Sequence, residues 1–202
     1  MSERHNQSLR RSVAAHAARL MAEEGIDDFG FAKRKAARQL GFSNAEALPT
    51  NAEVEEELHS YVALFRDEED EARLREMRLA AVDVMRLFAP FRPYLTGTVL
   101  AGTAGAFSEV ELEIYADSAK DVEIFMINQN IRYEHREVRR SGPDAPEAIL
   151  VFDWGEIPFR VNVYDHVSER SPRRTPGGSK LAERARLDAV EALIGNDLAE
   201  EE

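Results

Sequence analysis

Three glutamates alternate with apolar residues in the stretch LTGTVLAGTAGAFSEVELEIYAD, residues 95–117. Glu109 and Glu111 are two positions apart, and side chains at that spacing in a β-strand point to the same face. Two carboxylates so placed repel each other unless a cation lies between them, and Mg²⁺ binds one or two carboxylates together with substrate phosphates. The spacing is therefore compatible with a magnesium site. It is equally compatible with a strand whose polar face only contacts water.

Small residues precede the glutamates. Ten residues separate the pair Gly97-Thr98 from Glu109, and a second pair, Gly102-Thr103, lies between them. A glycine lets backbone N–H groups approach a phosphate closely, because no side chain stands in the way. A pair of metal ions beside such a phosphate can activate an attacking hydroxyl and stabilise a leaving pyrophosphate. Alternatively, these glycines only form turns.

The whole pattern resembles the signature of the DNA polymerase β type nucleotidyltransferase superfamily, which runs glycine-serine, a loop, then serine-acid-apolar-acid-leucine. Without a gap, that signature aligns with Gly97-Thr98 and with SEVEL, residues 108–112. The resemblance implies that Glu109 and Glu111 are the catalytic pair and hold Mg²⁺. The substrate-binding residues that it implies are Gly97, Thr98, Gly102, Thr103, Ser108 and Arg160. The chain is also similar to bacterial proteins of this length that have a comparable helical start.

The chain departs from this signature in two respects. The family has aspartates at both metal positions, whereas this chain has the longer Glu109 and Glu111. The family also uses a third carboxylate on a neighbouring strand, which corresponds to IPFRVNVYD (157–165), where Asp165 is the acid that could complete the metal site. Arg160 lies in that strand, and beside the two glutamates it would neutralise them as a metal ion does. Glu113 has no match in the signature and is predicted to be a solvated residue of the strand face.

Three interpretations remain open from the sequence. An active protein would resemble its family in transferring a nucleoside monophosphate from a nucleoside triphosphate to a hydroxyl acceptor, with Mg²⁺ as cofactor. A protein in which Arg160 has replaced the ion would keep the fold and act as a protein- or RNA-binding or scaffold module. In the third interpretation, the C-terminal half is an unrelated α+β domain and the signature is a coincidence.

The spacing of the apolar residues predicts helices in the first ninety residues. The first two helices are predicted to end at Gly25 and Gly41, and a third is predicted to begin at Thr50 or Asn51. A short helical turn is predicted from Ser43. The acidic run 67–71 is either a bend between two helices or a solvated part of one long helix.

From residue 94 the pattern changes to short strands. Residues 121–129 are rich in Val, Ile and Phe, which favours a strand, although Ser118 would also suit a helix start. A hairpin is predicted around Gly155 and a last helix from Ser179 to Gly195. The prediction is an α+β fold: a helical domain (1–90), a small mixed-sheet nucleotidyltransferase-like domain (91–195) and a disordered acidic tail (196–202).

Composition limits the function further. The 202 residues carry a net charge of −12 and include no cysteine, which excludes disulfides and thiolate chemistry. No signal-peptide pattern and no long apolar segment is present, so we expect a cytoplasmic protein without membrane contact. No P-loop, dinucleotide fingerprint or G-x-S-x-G motif occurs, and the histidines lie at no metal-ligand spacing.

The net charge also opposes sequence-independent binding to DNA, which needs a broad basic surface. One local basic patch remains, on the second predicted helix. It is the candidate contact for a protein or RNA partner, and it comprises Lys33, Arg34, Lys35 and Arg38.

Overall fold

The computed structural model describes residues 2–26, 28–42, 48–138, 144–170 and 183–199. They form two compact units. The first comprises the described residues up to 70 together with 105–107, and the second comprises the described residues of 71–104, 108–170 and 183–199. The fold class is α+β, with the helices of the first unit preceding the sheet, as the sequence predicts.

The first unit is built from three helices. These are α1 (Ser2–Glu24), α2 (Phe29–Gln39) and α3 (Asn51–Phe65), and α1 packs against both of the others through small apolar side chains. Thr50 and Glu53 form a capping box at the start of α3, which satisfies backbone N–H groups that the helix itself leaves unpaired. The predicted helices are confirmed, and the short turn predicted from Ser43 lies outside the described residues.

The acidic run 67–71 contains a bend. The chain is extended at Arg66, and α4 (Glu68–Leu87) begins two residues later. The carboxylate of Asp67 accepts a hydrogen bond from the backbone N–H of Asp70 at 2.9 Å, which caps the new helix. The bend therefore lies at residues 66 and 67, and residues 68–71 belong to the first turn of a second, separate helix.

The second unit contains a five-stranded mixed sheet. Its strands are β1 (Tyr94–Thr96), β2 (Val110–Ala116), β3 (Glu134–Arg136), β4 (Ala148–Trp154) and β5 (Ile157–Asp165). They lie in the order β1-β2-β5-β4-β3, with β2 parallel to β5 and the other neighbours antiparallel. The predicted hairpin is confirmed as β4–β5, with Gly155 at φ +63° in its turn.

One face of the sheet forms the core. Leu112 and Ile114 of β2 and Val161 and Val163 of β5 are fully buried, in one cluster with residues of α4 and of α6 (Ala119–Asn128). Because side chains alternate along a strand, residues 109, 111, 113 and 115 lie on the other face. That second face carries the candidate site.

Two local predictions are wrong. Residues 121–128 belong to helix α6, because Ser118 caps its first turn and Val122 and Met126 bury one helical stripe. The last helix, α7 (Leu187–Ala199), begins later than predicted, since the backbone of Ala185 pairs with Leu95 beside β1. It also continues past residue 195, so the described part of the predicted disordered tail is helical.

The predicted domain boundary at residue 90 stays a prediction. By spatial proximity the chain divides after residue 70, and the buried residues of α4, such as Met77 and Met85, belong to the core of the sheet. Helices of the described part of the chain are too short or too polar to cross a bilayer.

Candidate functional site

The pairing of β2 with β5 places an arginine beside the central glutamate. Glu111 lies directly opposite Arg160 in the parallel register. Nη2 of Arg160 is 2.5 Å from Oε2 of Glu111, and the two side chains are 22% and 23% exposed. A charge-assisted contact of this length neutralises the carboxylate without any metal ion.

The other glutamate of the predicted pair has two arginine neighbours. Arg136 of β3 donates to Glu109 through both terminal nitrogens, Nη1 to Oε2 at 2.8 Å and Nη2 to Oε1 at 2.6 Å. Nε of Arg160 lies 3.7 Å from the same carboxylate. The sequence does not indicate Arg136, because a three-residue strand at the far edge of the sheet gives no signal that one of its side chains reaches Glu109.

Gly97 packs directly against the Glu111 side chain. The glycine has φ +71°, and a Cβ at this position would lie 2.7 Å from both Cδ and Oε1 of Glu111. The absence of a side chain therefore makes room for a carboxylate of the same chain. The resemblance implies that the same space admits a phosphate.

The other small residues of the signature shape a short helix, α5 (Gly97–Ala101). The backbone N–H groups of Gly102 and Thr103 both donate to the carbonyl oxygen of Thr98, which closes the helix. Thr103 is buried and Ser108 is half-buried. Arg78 of α4, which the sequence analysis did not select, is buried below this turn and donates to the carbonyl of Val99 at 3.3 Å.

Asp165 lies at the far end of β5 from the glutamate pair. It is opposite Ala116, five positions beyond Arg160, which corresponds to about 17 Å along a strand. Its Oδ1 accepts a hydrogen bond from the N–H of Val167 at 2.7 Å and lies 3.5 Å from Nδ1 of His166. The structure therefore does not bring the third predicted metal ligand to Glu109 and Glu111.

The donor set around Glu111 does not fit Mg²⁺. A divalent cation needs oxygen ligands around it, whereas the guanidinium of Arg160 already occupies the space next to Glu109 and Glu111. Across the described ranges, no cluster of three or more histidine, aspartate or glutamate side chains has a metal-binding arrangement. Of the residues that the resemblance selects, Glu109, Glu111 and Arg160 are thus brought together as ion pairs.

Glu113 is buried, not solvated as predicted. It is 7% exposed, and its Oε2 accepts a hydrogen bond from the hydroxyl of Tyr115 at 2.9 Å. Three buried aromatic side chains lie beside it and form what we call the tyrosine cluster: Tyr94, Tyr115 and Tyr164. The alternating pattern indicates the face of the sheet on which Glu113 lies. It does not indicate that tyrosine side chains cover that face around Glu113.

Two arginines that precede α7 contact the tyrosine cluster. The guanidinium of Arg184 lies 4.6 Å from the ring centre of Tyr94 and donates to the Tyr115 hydroxyl at 2.8 Å. Arg186 donates to the Tyr94 hydroxyl through Nε and Nη2. The sequence predicts a helix for both arginines, so it does not indicate that they lie at the sheet.

Glu169 is the acidic residue that contacts the tyrosine cluster at this end of the sheet face. Glu169 accepts hydrogen bonds from Arg92 at 2.6 Å and from the Tyr94 hydroxyl at 2.8 Å. The hydrogen bond from Arg92, supported by the one from Tyr94, lowers the pKa of Glu169 below its usual value. The carboxylate therefore stays charged under mildly acidic conditions.

The basic patch of α2 is only half available to a partner. Lys33 donates to the carbonyl of Pro49 at 3.0 Å and to Asn51 at 2.7 Å, and burial lowers its pKa. Lys35 pairs with a glutamate at the end of α1. Arg34 and Arg38 are exposed, and within the described part of the chain their side chains make no hydrogen bond or ion pair.

Comparisons with known proteins add no relative. No protein-family model, no curated protein and no solved structure matches this chain. The nucleotidyltransferase resemblance consequently rests on the quoted residues of this sequence alone.

Proposed function

We propose that the C-terminal half is a nucleotidyltransferase-like domain in which arginine has replaced the metal ion, and that the protein works as a binding or scaffold module. The observation that carries this proposal is the contact of 2.5 Å between Arg160 and Glu111. It lies at the position where the resemblance requires a divalent cation.

Two further contacts support the same conclusion. Arg136 holds both oxygens of Glu109, so the second carboxylate of the predicted metal pair is also engaged. The Glu111 carboxylate covers Gly97, where the resemblance implies an approach of the triphosphate. Binding of a magnesium nucleotide would have to break these contacts, of which the less exposed pair of Arg160 and Glu111 contributes roughly 1.5–3 kcal/mol.

The chemistry of the surface favours a protein partner over RNA. RNA binding requires several lysines or arginines that are free to contact phosphates. Of the four basic residues in the α2 patch, Lys33 and Lys35 are held by their own chain, which leaves Arg34 and Arg38. The net charge of −12 opposes the approach of a polyanion as well.

The test compares metal and nucleotide binding in the wild type and in two charge variants. Mn²⁺ alone, Mg²⁺-ATP and Mg²⁺-CTP are titrated in a calorimeter, and free Mn²⁺ is followed by electron paramagnetic resonance. We expect no binding to the wild type. Arg160→Asp should bind Mn²⁺, because it removes the guanidinium and adds a carboxylate between Glu109 and Glu111.

The matched control is Arg132→Asp, which makes the same charge change at an exposed residue of the same unit. It should bind no Mn²⁺, and circular dichroism should show that both variants are folded. If the wild type binds Mg²⁺-ATP or Mg²⁺-CTP and Glu111→Gln abolishes that binding, our proposal is wrong. The transfer of a nucleoside monophosphate to a hydroxyl acceptor would then be the better interpretation.

A further inference from the structure

The exposed large apolar side chains of the first unit include one on α2 and two at the end of α3. Phe31 of α2 is 51% exposed, and Leu64 and Phe65 at the end of α3 are 74% and 62% exposed. Single exposed apolar residues are common on protein surfaces. These residues differ because unpaired charges of one sign accompany each group.

On α2 the accompanying charge is positive. Phe31, Arg34 and Arg38 are separated by three and four positions, so they follow one stripe of the helix. All three are exposed, and the two arginines make no ion pair with any described residue. We call this stripe the arginine face.

At the junction of α3 and α4 the accompanying charge is negative. The ring of Phe65 packs against Tyr61 with centroids 4.6 Å apart, which fixes its position at the helix end. Glu68 and Glu69 follow in the first turn of α4, and they are exposed without an ion pair in the described ranges. We call Leu64, Phe65, Glu68 and Glu69 together the glutamate face.

We propose that the protein forms a symmetric dimer in which the arginine face of each protomer docks on the glutamate face of its partner. Each face combines an exposed aromatic ring with two unpaired charges, and the two faces are opposite in sign. An interface of this kind is self-complementary in a pair of identical chains, since each contact occurs twice about a twofold axis. It buries Phe31 and Phe65 and pairs the four charges of each contact.

This inference concerns the helical unit and does not rest on the arginine-paired glutamates of the sheet. The titrations described above measure the sheet site, whereas the experiment for the dimer measures mass. The two proposals therefore succeed or fail separately.

The test uses charge reversal and light scattering coupled to size-exclusion chromatography. The wild type should have the mass of two chains at low salt and dissociate as salt is added. The variants R34E/R38E and E68R/E69R should each have the mass of one chain, because like charges then meet in both contacts. An equimolar mixture of the two variants should recover the mass of two chains, since every contact in the mixed pair is again between opposite charges.

The matched control is D153R/E156R, which makes the charge change of the second variant at exposed residues of the second unit. It should remain a dimer, and circular dichroism should show native helix content in every variant. A wild type with the mass of one chain at about 100 μM, where even weak dimers associate, would overturn the proposal. So would variants that stay dimeric alone, or a mixture that stays monomeric.

Discussion

Glu111 and Glu113 lie two positions apart on the same strand and the same face, yet their surroundings differ completely. Glu111 is opposite Arg160 and makes an ion pair with it. Glu113 is opposite Asn162, is almost entirely buried, and accepts a hydrogen bond from the Tyr115 hydroxyl. The strand that pairs with β2, rather than the alternating pattern of β2 itself, decides what each carboxylate does.

The comparison separates two ways of accommodating an acid on a sheet. At the arginine end, a full positive charge compensates the carboxylate, so that removal of the cation leaves a partly buried charge unpaired. At the tyrosine end, a carboxylate that aromatic rings shield from water accepts a hydrogen bond from the Tyr115 hydroxyl. The following four changes test this contrast, from the largest expected effect to the smallest.

Gly97→Ala should have the largest effect. The φ of +71° costs an alanine about 1–2 kcal/mol, and the contact of its Cβ with Glu111 adds about 1–3 kcal/mol. Urea unfolding measures the loss. Gly155→Ala is the control, because Gly155 has a similar φ of +63° but no atom within 4 Å of the added Cβ. Equal losses of unfolding free energy in the two variants would show that the contact with Glu111 does not contribute to the cost of a Cβ at position 97.

Arg160→Ala should destabilise the protein by about 2–3 kcal/mol, since it leaves Glu111 without its guanidinium in a partly buried site. The same substitution at Arg136 should cost about 1 kcal/mol or less, because its side chain is 43% exposed and water can replace it. Thermal and urea unfolding of the two variants give the comparison. A larger loss for Arg136→Ala would contradict the importance assigned to the Glu111 pair.

Tyr115→Phe tests the tyrosine end. Loss of the hydroxyl removes the donor to the buried Glu113 and the acceptor of the hydrogen bond from Arg184, and we expect a cost of about 1–2 kcal/mol in urea unfolding. Tyr133→Phe removes the same kind of bond, to the more exposed Glu123, and should cost less than about 0.5 kcal/mol. Similar values for both would contradict a larger contribution from the buried hydroxyl of Tyr115 than from that of Tyr133.

Glu169 should contribute a small, pH-dependent stabilisation. Its pKa is lowered in the folded protein, chiefly by Arg92, so the stabilisation is complete above the ordinary glutamate value of 4.5 and is lost as pH falls through the folded pKa. Below pH 4.5 the wild type should therefore lose more stability than Glu169→Gln. Arg92→Ala should also flatten this dependence. Parallel pH profiles for wild type and Glu169→Gln would contradict the assignment.

Local sequence signals predicted the elements whose causes are local. The capping box of Thr50 and Glu53 and the turn at Gly155 depend on neighbouring residues, and both were recognisable in the sequence. The α+β fold class followed from the change in periodicity near residue 94. At α6, however, residue preference favoured a strand, and the cap at Ser118 with burial of a helical stripe outweighed it.

The candidate site was predictable only as far as one strand determines it. The sequence indicated that Glu109 and Glu111 share a face and that Arg160 could reach them, and the structure places these groups together. The sequence could not indicate Arg136, because its position depends on the order of the strands in the sheet. It could not indicate Arg184 either, because that residue lies in a non-helical segment whose sequence predicts a helix. Long-range pairing overrides local preference at both places.

The pairing of Ala185 with Leu95 affects how the chain can fold during synthesis. Both backbone hydrogen bonds between these residues measure 2.9 Å, and they cover the outer edge of β1. Residue 185 leaves the ribosome after residue 95 by on the order of 10 s at typical rates of translation. Until residue 185 is available the outer edge of β1 has no partner strand, and an uncovered edge is the type of surface on which chains aggregate, so a nascent protein halted before residue 185 would be a natural client of chaperones.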